Sequence, residues 1–384
     1  MSSPTDPNSQ RIPAEPAGAL KSLERLLRLM NKYQASDLHL KVGNPPIMRV
    51  QSKIRYFDAE DFDNQTVDGM LQDILSPEQR ATFATGRDLD FAYSIPKVGR
   101  YRINAFRQRG SVSLAIRRVN TEIPSFEDLH LKAEAMRRLA SHRQGLVIVA
   151  GITGSGKSTT LAAMIEFING NRRCHIITIE DPIEYLYRDK KAFVNQREVG
   201  IDVPTFHDAL KSVVRQDPDV ILIGEMRDVD TFETALTASE TGHLVFGTLH
   251  SSTVSQTIGR ILDMFPSDRE RAIRQALAFS LRGIVCQKIL PAAKEGVGLV
   301  PAQEIMMVNP TVQKLILDGE DKKLDGVVRA SREEGMQDFN QALLDLVAEG
   351  LISDKVALEV SHNAEQLTMN MKGIFLGDDR KIVR

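Results

Sequence analysis

The 384-residue sequence has no tryptophan and only two cysteines, Cys174 and Cys286. The cysteines lie far apart and form no C-x-x-C pair. That argues against a disulfide framework or a thiolate zinc site and fits a reducing compartment. Neither sign of charge dominates: 49 Lys and Arg against 51 Asp and Glu leave a formal net charge of −2. There is thus no global basic field to draw in nucleic acid or anionic lipid, although a local patch stays open. The absence of tryptophan points the same way. No apolar run approaches the ~18 residues that span a bilayer. Residues 1–19 are rich in Ser, Pro, Asn and Gln, lack the apolar core of a signal peptide, and read as a disordered tail. There is no internal repeat and no heptad run. A soluble cytoplasmic protein is the expectation. With 42% apolar residues, the length suits two domains and a sizeable core.

The chain then divides by pattern. Residues 20–34 carry Leu23, Leu26, Leu27 and Met30 at helical spacing. Residues 36–42 alternate as a half-buried strand, Gly43-Asn44-Pro45-Pro46 is turn chemistry, and 47–54 follows as a second strand. A helical stretch covers 66–83, and strands are expected at 89–94, 101–107 and 112–117, punctuated by Gly99 and Gly110. This predicts a small α+β domain over 20–119 and a linker, with Pro124, over 120–131. From 132 to 309, strands at 146–150, 175–179, 220–223 and 244–248 alternate with helices. That is the pattern of an α/β core with a parallel sheet, whose active site lies at the carboxyl ends of its strands. A helical region over 310–370 and a tail over 371–384 complete the chain.

The strongest motif is Gly151-Ile152-Thr153-Gly154-Ser155-Gly156-Lys157-Ser158, a complete G-x-x-x-x-G-K-S/T loop. An apolar strand precedes it and a helical stretch opening with Thr159 follows, the context a phosphate loop requires. Its amides and the helix N-terminus would cradle the phosphates of ATP. Lys157 would reach the β/γ-phosphates and Ser158 would ligate Mg²⁺.

The other strands also end in useful chemistry. Glu180-Asp181-Pro182-Ile183-Glu184 sets three carboxylates within five residues, repulsive unless a cation or a polarised water is at hand. A solvated acidic loop is the plainer alternative. Gly224-Glu225-Met226-Arg227-Asp228 places Glu225 just past an apolar strand, where it would hold Mg²⁺ through a water or position the attacking water; the residues alone leave both open. His250 emerges at the end of the fourth strand as a candidate γ-phosphate sensor, whereas His243 sits at that strand's opposite end. The small domain clusters Arg100, Arg102, Arg107, Arg109, Arg117 and Arg118. Such side chains either pair and solvate or act as arginine fingers.

Together these segments resemble the type II/IV secretion ATPases. Gly151 to Ser158 looks like the Walker A box, Ile177 to Glu184 like the Asp box, Asp217 to Asp228 like the atypical Walker B, and Thr241 to His250 like the His box. Ser36-Asp37-Leu38-His39-Leu40 and Gly99-Arg100-Tyr101-Arg102-Ile103-Asn104 are similar to segments of the family's PAS-like domain. The resemblance runs over about residues 20–370. A short chain without C-x-x-C zinc motifs fits the pilus-retraction branch, PilT/PilU. The resemblance implies a RecA-like P-loop core after a PAS-like domain. It makes Glu184 the catalytic base, has Glu225 hold Mg²⁺ through water, and makes His250 the γ-phosphate sensor. Arg100, Arg102, Arg107 and Arg117 would complete the site across domains. It further implies a homo-hexamer acting on an inner-membrane platform protein, peripheral to that membrane, with no direct nucleic-acid partner. One segment departs from the branch. Where PilT carries Ala-Ile-Arg-Asn-Leu-Ile-Arg, this chain has Thr311-Val312-Gln313-Lys314-Leu315-Ile316-Leu317. The stretch from Ser331 to Leu343 is closer to PilU, an accessory role beside a PilT-type partner ATPase. The competing readings are a nucleic-acid translocase and a weakly catalytic ATP-binding subunit.

Overall fold

The computed structural model describes residues 11–13, 19–51 and 53–374. Most of the two expected tails lies outside the described residues. The chain separates into two compact units, Met1–Thr121 and Glu122–Arg384.

The first unit is one seven-stranded sheet with helices. Its strands are β1 (Arg11–Ile12), β2 (Ala35–Lys41), β3 (Ile47–Val50), β4 (Lys53–Phe57), β5 (Leu89–Ile95), β6 (Gly99–Gln108) and β7 (Ser111–Arg118), in the order β1-β4-β3-β2-β7-β6-β5. All neighbours are antiparallel except β1 and β4. The helix Leu23–Lys32 buries Leu23, Leu26, Leu27 and Met30, the stripe its spacing predicts. The buried Tyr101 hydroxyl donates to the Leu27 carbonyl at 2.8 Å, tying this helix to β6. Three local readings need correction. The strand expected over 47–54 is a hairpin, because Gln51 takes a positive φ of 49° and turns the chain. The helix expected over 66–83 is two, Asn64–Ile74 and Pro77–Ala84, since Ser76 caps the second with Pro77 at its start. Arg11 and Ile12, placed in the tail by composition, form β1, with Ile12 buried.

The second unit carries a seven-stranded sheet of β8 (Gly145–Ala150), β9 (His175–Glu180), β10 (Phe193–Glu198), β11 (Val220–Ile223), β12 (Leu244–Leu249), β13 (Leu281–Pro291) and β14 (Leu299–Met307). The order is β10-β9-β11-β12-β8-β13-β14, parallel except for β14, which pairs antiparallel with β13. β8, β11 and β12 are buried along their whole length, as strands covered on both faces are. This order sets β12 between β8 and β11, so the loops that leave β8, β9, β11 and β12 gather at one edge. Local pattern does not disclose β10, where Asn195, Gln196 and Arg197 break any apolar alternation, or the β13–β14 hairpin. The helices from Pro310–Asp318 to Ala364–Met371 pack Val312, Ile316, Phe339, Leu343, Leu346 and Leu367 into the same core as the sheet. Phe126 and Leu131, in the stretch read as a linker, are buried in that core too. Among the described residues no helix is long and apolar enough to cross a membrane.

Candidate active site

Gly151 leaves the end of β8 at φ 152°, and Gly156 caps the helix Lys157–Asn171 at φ 84°. A Cβ on Gly151 would lie 2.6 Å from the Gln287 carbonyl oxygen, and one on Gly156 would lie 2.7 Å from the Gln287 Nε2. Gly151 is therefore required by close approach to the β13 backbone as well as by its conformation, and Gly156 by its positive φ, with the Gln287 amide packed against it. Lys157 Nζ donates to the carbonyls of Gly151 at 2.8 Å and Ile152 at 3.1 Å. Burial holds its ammonium below the usual lysine range, against the pull of Glu225 and Glu184.

Beside the loop opens a cavity of about 490 Å³. Thr153, Gly154, Gly156, Lys157, Ser158 and Thr159 line one wall, and Glu180, Glu184, Glu225 and His250 line the others. Most of the expected site residues thus meet in one place, at the carboxyl ends of four parallel strands. Thr159 and Tyr185 share a hydrogen bond of 3.1 Å, joining the phosphate-loop helix to the acidic loop. Glu184 is exposed at the cavity edge. Glu225 is gripped at both oxygens: Arg227 donates to Oε2 at 2.6 Å and His250 Nε2 lies 3.0 Å from Oε1. Burial pushes its carboxyl up, but Arg227, His250 and Lys157 outweigh that and hold it below the usual carboxylate range. His243 faces away, its Nδ1 at 3.0 Å from the Ala238 carbonyl at the end of the helix Val229–Glu240.

Ser158 and Glu225 offer a hydroxyl and a carboxylate to the same space. These are hard oxygen donors of the kind magnesium takes. Among the described residues no cluster of three or more His, Cys, Asp or Glu could hold a metal alone. A divalent ion here would draw its other ligands from phosphate and water. A second, mostly apolar cavity of about 310 Å³ adjoins the loop on the β13 side, lined by Gly151 to Ser155 with Ile289, Leu290 and Val360.

The arginines lie in the first unit. Arg102 and Arg117 are register partners on β6 and β7. Arg117 Nε donates to Asp37 Oδ1 at 2.8 Å, and Arg107 stacks 4.8 Å over the Phe83 ring. Arg118 donates to the Ala35 carbonyl and to Gln34. Arg100 is half-buried on β6, and Arg102 is not held by an ion pair or hydrogen bond among the described residues.

Three contributors carry no individual role in the reading of the sequence. Glu180 ends β9 inside the acidic run, where Thr178 and Gln196 donate to it. Burial pushes its carboxyl up to about 7. Arg227, two residues past Glu225, has a signal in its spacing. Gln287, beneath the loop, has none.

The sequence matches the family model described as type II/IV secretion system protein over residues 97–355. It is 41% identical over 337 residues to the type IV pilus retraction ATPase PilT of Pseudomonas aeruginosa, covering 88% of this chain and 97% of that protein. It is 40% identical over 349 residues to the type IV pilus ATPase PilU of the same organism, covering 91% of each. Among solved structures it resembles the pilus retraction motor PilT with bound ADP, at 41% identity and a TM-score of 0.82, over 90% of this chain and 99% of that one. The Legionella pneumophila ATPase DotB matches at 26% identity and a TM-score of 0.73, over 91% of this chain and 98% of that one.

Proposed function

The chain belongs to the type II/IV secretion system protein family, in its PilT/PilU branch, and we propose that it is an ATPase powering or assisting retraction of a type IV pilus. The observation that carries the reading is convergence: Lys157, Ser158, Glu184, Glu225 and His250 line one cavity beside a phosphate loop built on two close-packed glycines. ATP binds with its phosphates on the loop amides and the N-terminus of the helix Lys157–Asn171. Its base takes the apolar cavity on the β13 side. Lys157 sits where negative charge accumulates on the β/γ oxygens. Glu184, exposed at the cavity edge, orients and deprotonates the attacking water. His250, held against Glu225, reads the γ-phosphate from the end of β12. Ser158 and, through water, Glu225 would hold magnesium, which would neutralise phosphate charge.

The working form is a homo-hexamer. In it Arg100, Arg102, Arg107 and Arg117 are candidates to donate to a nucleotide bound by a neighbouring subunit. Arg102 is the strongest of the four, since Arg117 is committed to Asp37 and Arg107 to Phe83. The ring works in the cytoplasm against the inner-membrane platform protein of the pilus.

The accessory, PilU-like reading rests on the stretch from Ser331 to Leu343 and on Gln313 and Leu317. The latter two occupy the positions of the two motif arginines on the helix Pro310–Asp318, where Leu317 is exposed. Steady-state hydrolysis by the purified full chain, alone and with a PilT-type ATPase, tests the enzymatic core. Glu184→Gln should lower turnover ~10³-fold while leaving ADP binding intact. Unchanged turnover would remove Glu184 from the role of base.

A further inference from the structure

Gln287 on β13 is 3% exposed, yet every polar atom of its amide is engaged. Its Nε2 donates to the Ser155 carbonyl at 2.7 Å, inside the phosphate loop. Its Oε1 accepts from Thr160 Oγ1 at 2.8 Å, in the first turn of the following helix. The same oxygen accepts from Gln303 Nε2 at 3.2 Å, across the β13–β14 hairpin. Gln303, 2% exposed, passes the chain on, its Oε1 accepting from the Lys132 backbone amide at 3.1 Å. Lys132 immediately precedes the helix Ala133–Ala140 and has no side-chain cap of its own. Gln337 closes the circuit. Its Nε2 donates to the Gln303 carbonyl at 3.0 Å, and its Oε1 accepts from Lys132 Nζ at 2.5 Å.

Three of these bonds run head to tail: Lys132 amide to Gln303, Gln303 to Gln287, Gln287 to Ser155. Each amide is thereby fixed in orientation. Turning one over would set oxygen against oxygen or N–H against N–H at both its neighbours. In a buried setting such a chain responds as a unit. The Ser155 carbonyl lies in the loop whose amides face the phosphates, so the conformation that phosphate selects is felt first by Gln287.

We propose that Gln287 is a positioning residue for the phosphate loop and that, through Gln303, it couples the loop's nucleotide state to the backbone of Lys132. The proposal deepens the ATPase reading and rests on it. The coupled end is the short stretch where the chain enters the helix Ala133–Ala140.

The test uses the full chain and Mg·ADP, with ADP affinity measured by titration and amide hydrogen exchange followed in the segment 127–136. In the wild type, saturating Mg·ADP should slow exchange of the Lys132 amide ~10-fold. Gln303→Leu changes a residue outside both cavities. It should weaken ADP binding ~10-fold and abolish nucleotide-dependent protection of Lys132 even at saturation. Gln287→Glu keeps the acceptors for Thr160 and Gln303 but no longer donates to Ser155, and should behave alike. Should the leucine variant misfold, Gln303→Glu still accepts from Lys132 but cannot donate to Gln287. A merely structural role raises exchange equally with and without nucleotide. Full retention of the nucleotide-dependent protection in the folded variants overturns the coupling. Failure of the wild type to bind ADP at all overturns the ATPase reading instead, and the two results are distinct.

Discussion

His250 Nε2 lies 3.0 Å from Glu225 Oε1, joining the residue just past β12 to the second residue past β11. The second oxygen of Glu225 is taken by Arg227 at 2.6 Å. A carboxylate held at both oxygens keeps one orientation toward the cavity, and, against burial, Arg227 above all holds it below the usual carboxylate range. His250→Ala releases one of those oxygens and, in the proposed mechanism, removes the contact to the γ-phosphate. The expected result is a fall in kcat of ~10²-fold with ADP affinity changed less than about threefold. Turnover and ADP titration on the same preparation check it. Lost affinity at unchanged kcat would make His250 a binding group.

Stability should carry a pH signature from Glu304. This residue is buried on β14 and accepts from the Val254 amide at 2.7 Å. Burial pushes its carboxyl up to about 7. The folded state therefore holds a proton that the unfolded chain, in the ordinary carboxylate range, gives up earlier. The contribution is complete below the unfolded value and is lost as pH rises through about 7. Unfolding free energies from urea titrations should fall between pH 5 and 8, by at most roughly 3.5 kcal/mol from this group. Glu304→Gln keeps the acceptor for Val254 and should flatten the curve. Glu180, also raised to about 7, adds slope of the same sign. An unaltered profile in the variant would show that Glu304 is ionised in the fold.

The trans role of Arg102 has a sharp test in mixed rings. Arg102→Ala and Glu184→Gln should each be nearly inactive alone. If one site draws Arg102 from one subunit and Glu184 from the next, an equal mixture restores roughly a quarter of the sites. If both act within one chain, the mixture stays inactive. Turnover against mixing ratio distinguishes the two.

The parts of this protein that are legible in its sequence share one property. Gly151 to Ser158 and His250 follow directly on a strand-length apolar run, Glu225 one residue and Glu184 a few residues further, and in a parallel sheet the carboxyl end of the strand fixes where such residues go. The helix Leu23–Lys32 is legible for the parallel reason that its stripe has one period. What is hidden depends on partners remote in the chain. Gln287 is one polar residue within the long strand β13, and its contact with Ser155 spans 132 positions. β10 shows no apolar alternation because it is an edge strand whose polar side chains, such as Gln196, serve Glu180 and the Tyr187 amide. The split at Ser76 is signalled by its own cap, Ser76-Pro77 followed by Gln79, which outweighs the continuous helical pattern around it.

Retraction in living cells tests the central claim most directly. The gene is deleted in its host, with and without any second retraction ATPase, and twitching is measured after complementation with wild type, Lys157→Ala or Glu184→Gln. The account predicts that deletion lowers or abolishes twitching in at least one background, that wild type restores it, and that neither variant does. Undiminished twitching in both backgrounds, or full rescue by Lys157→Ala, would contradict it.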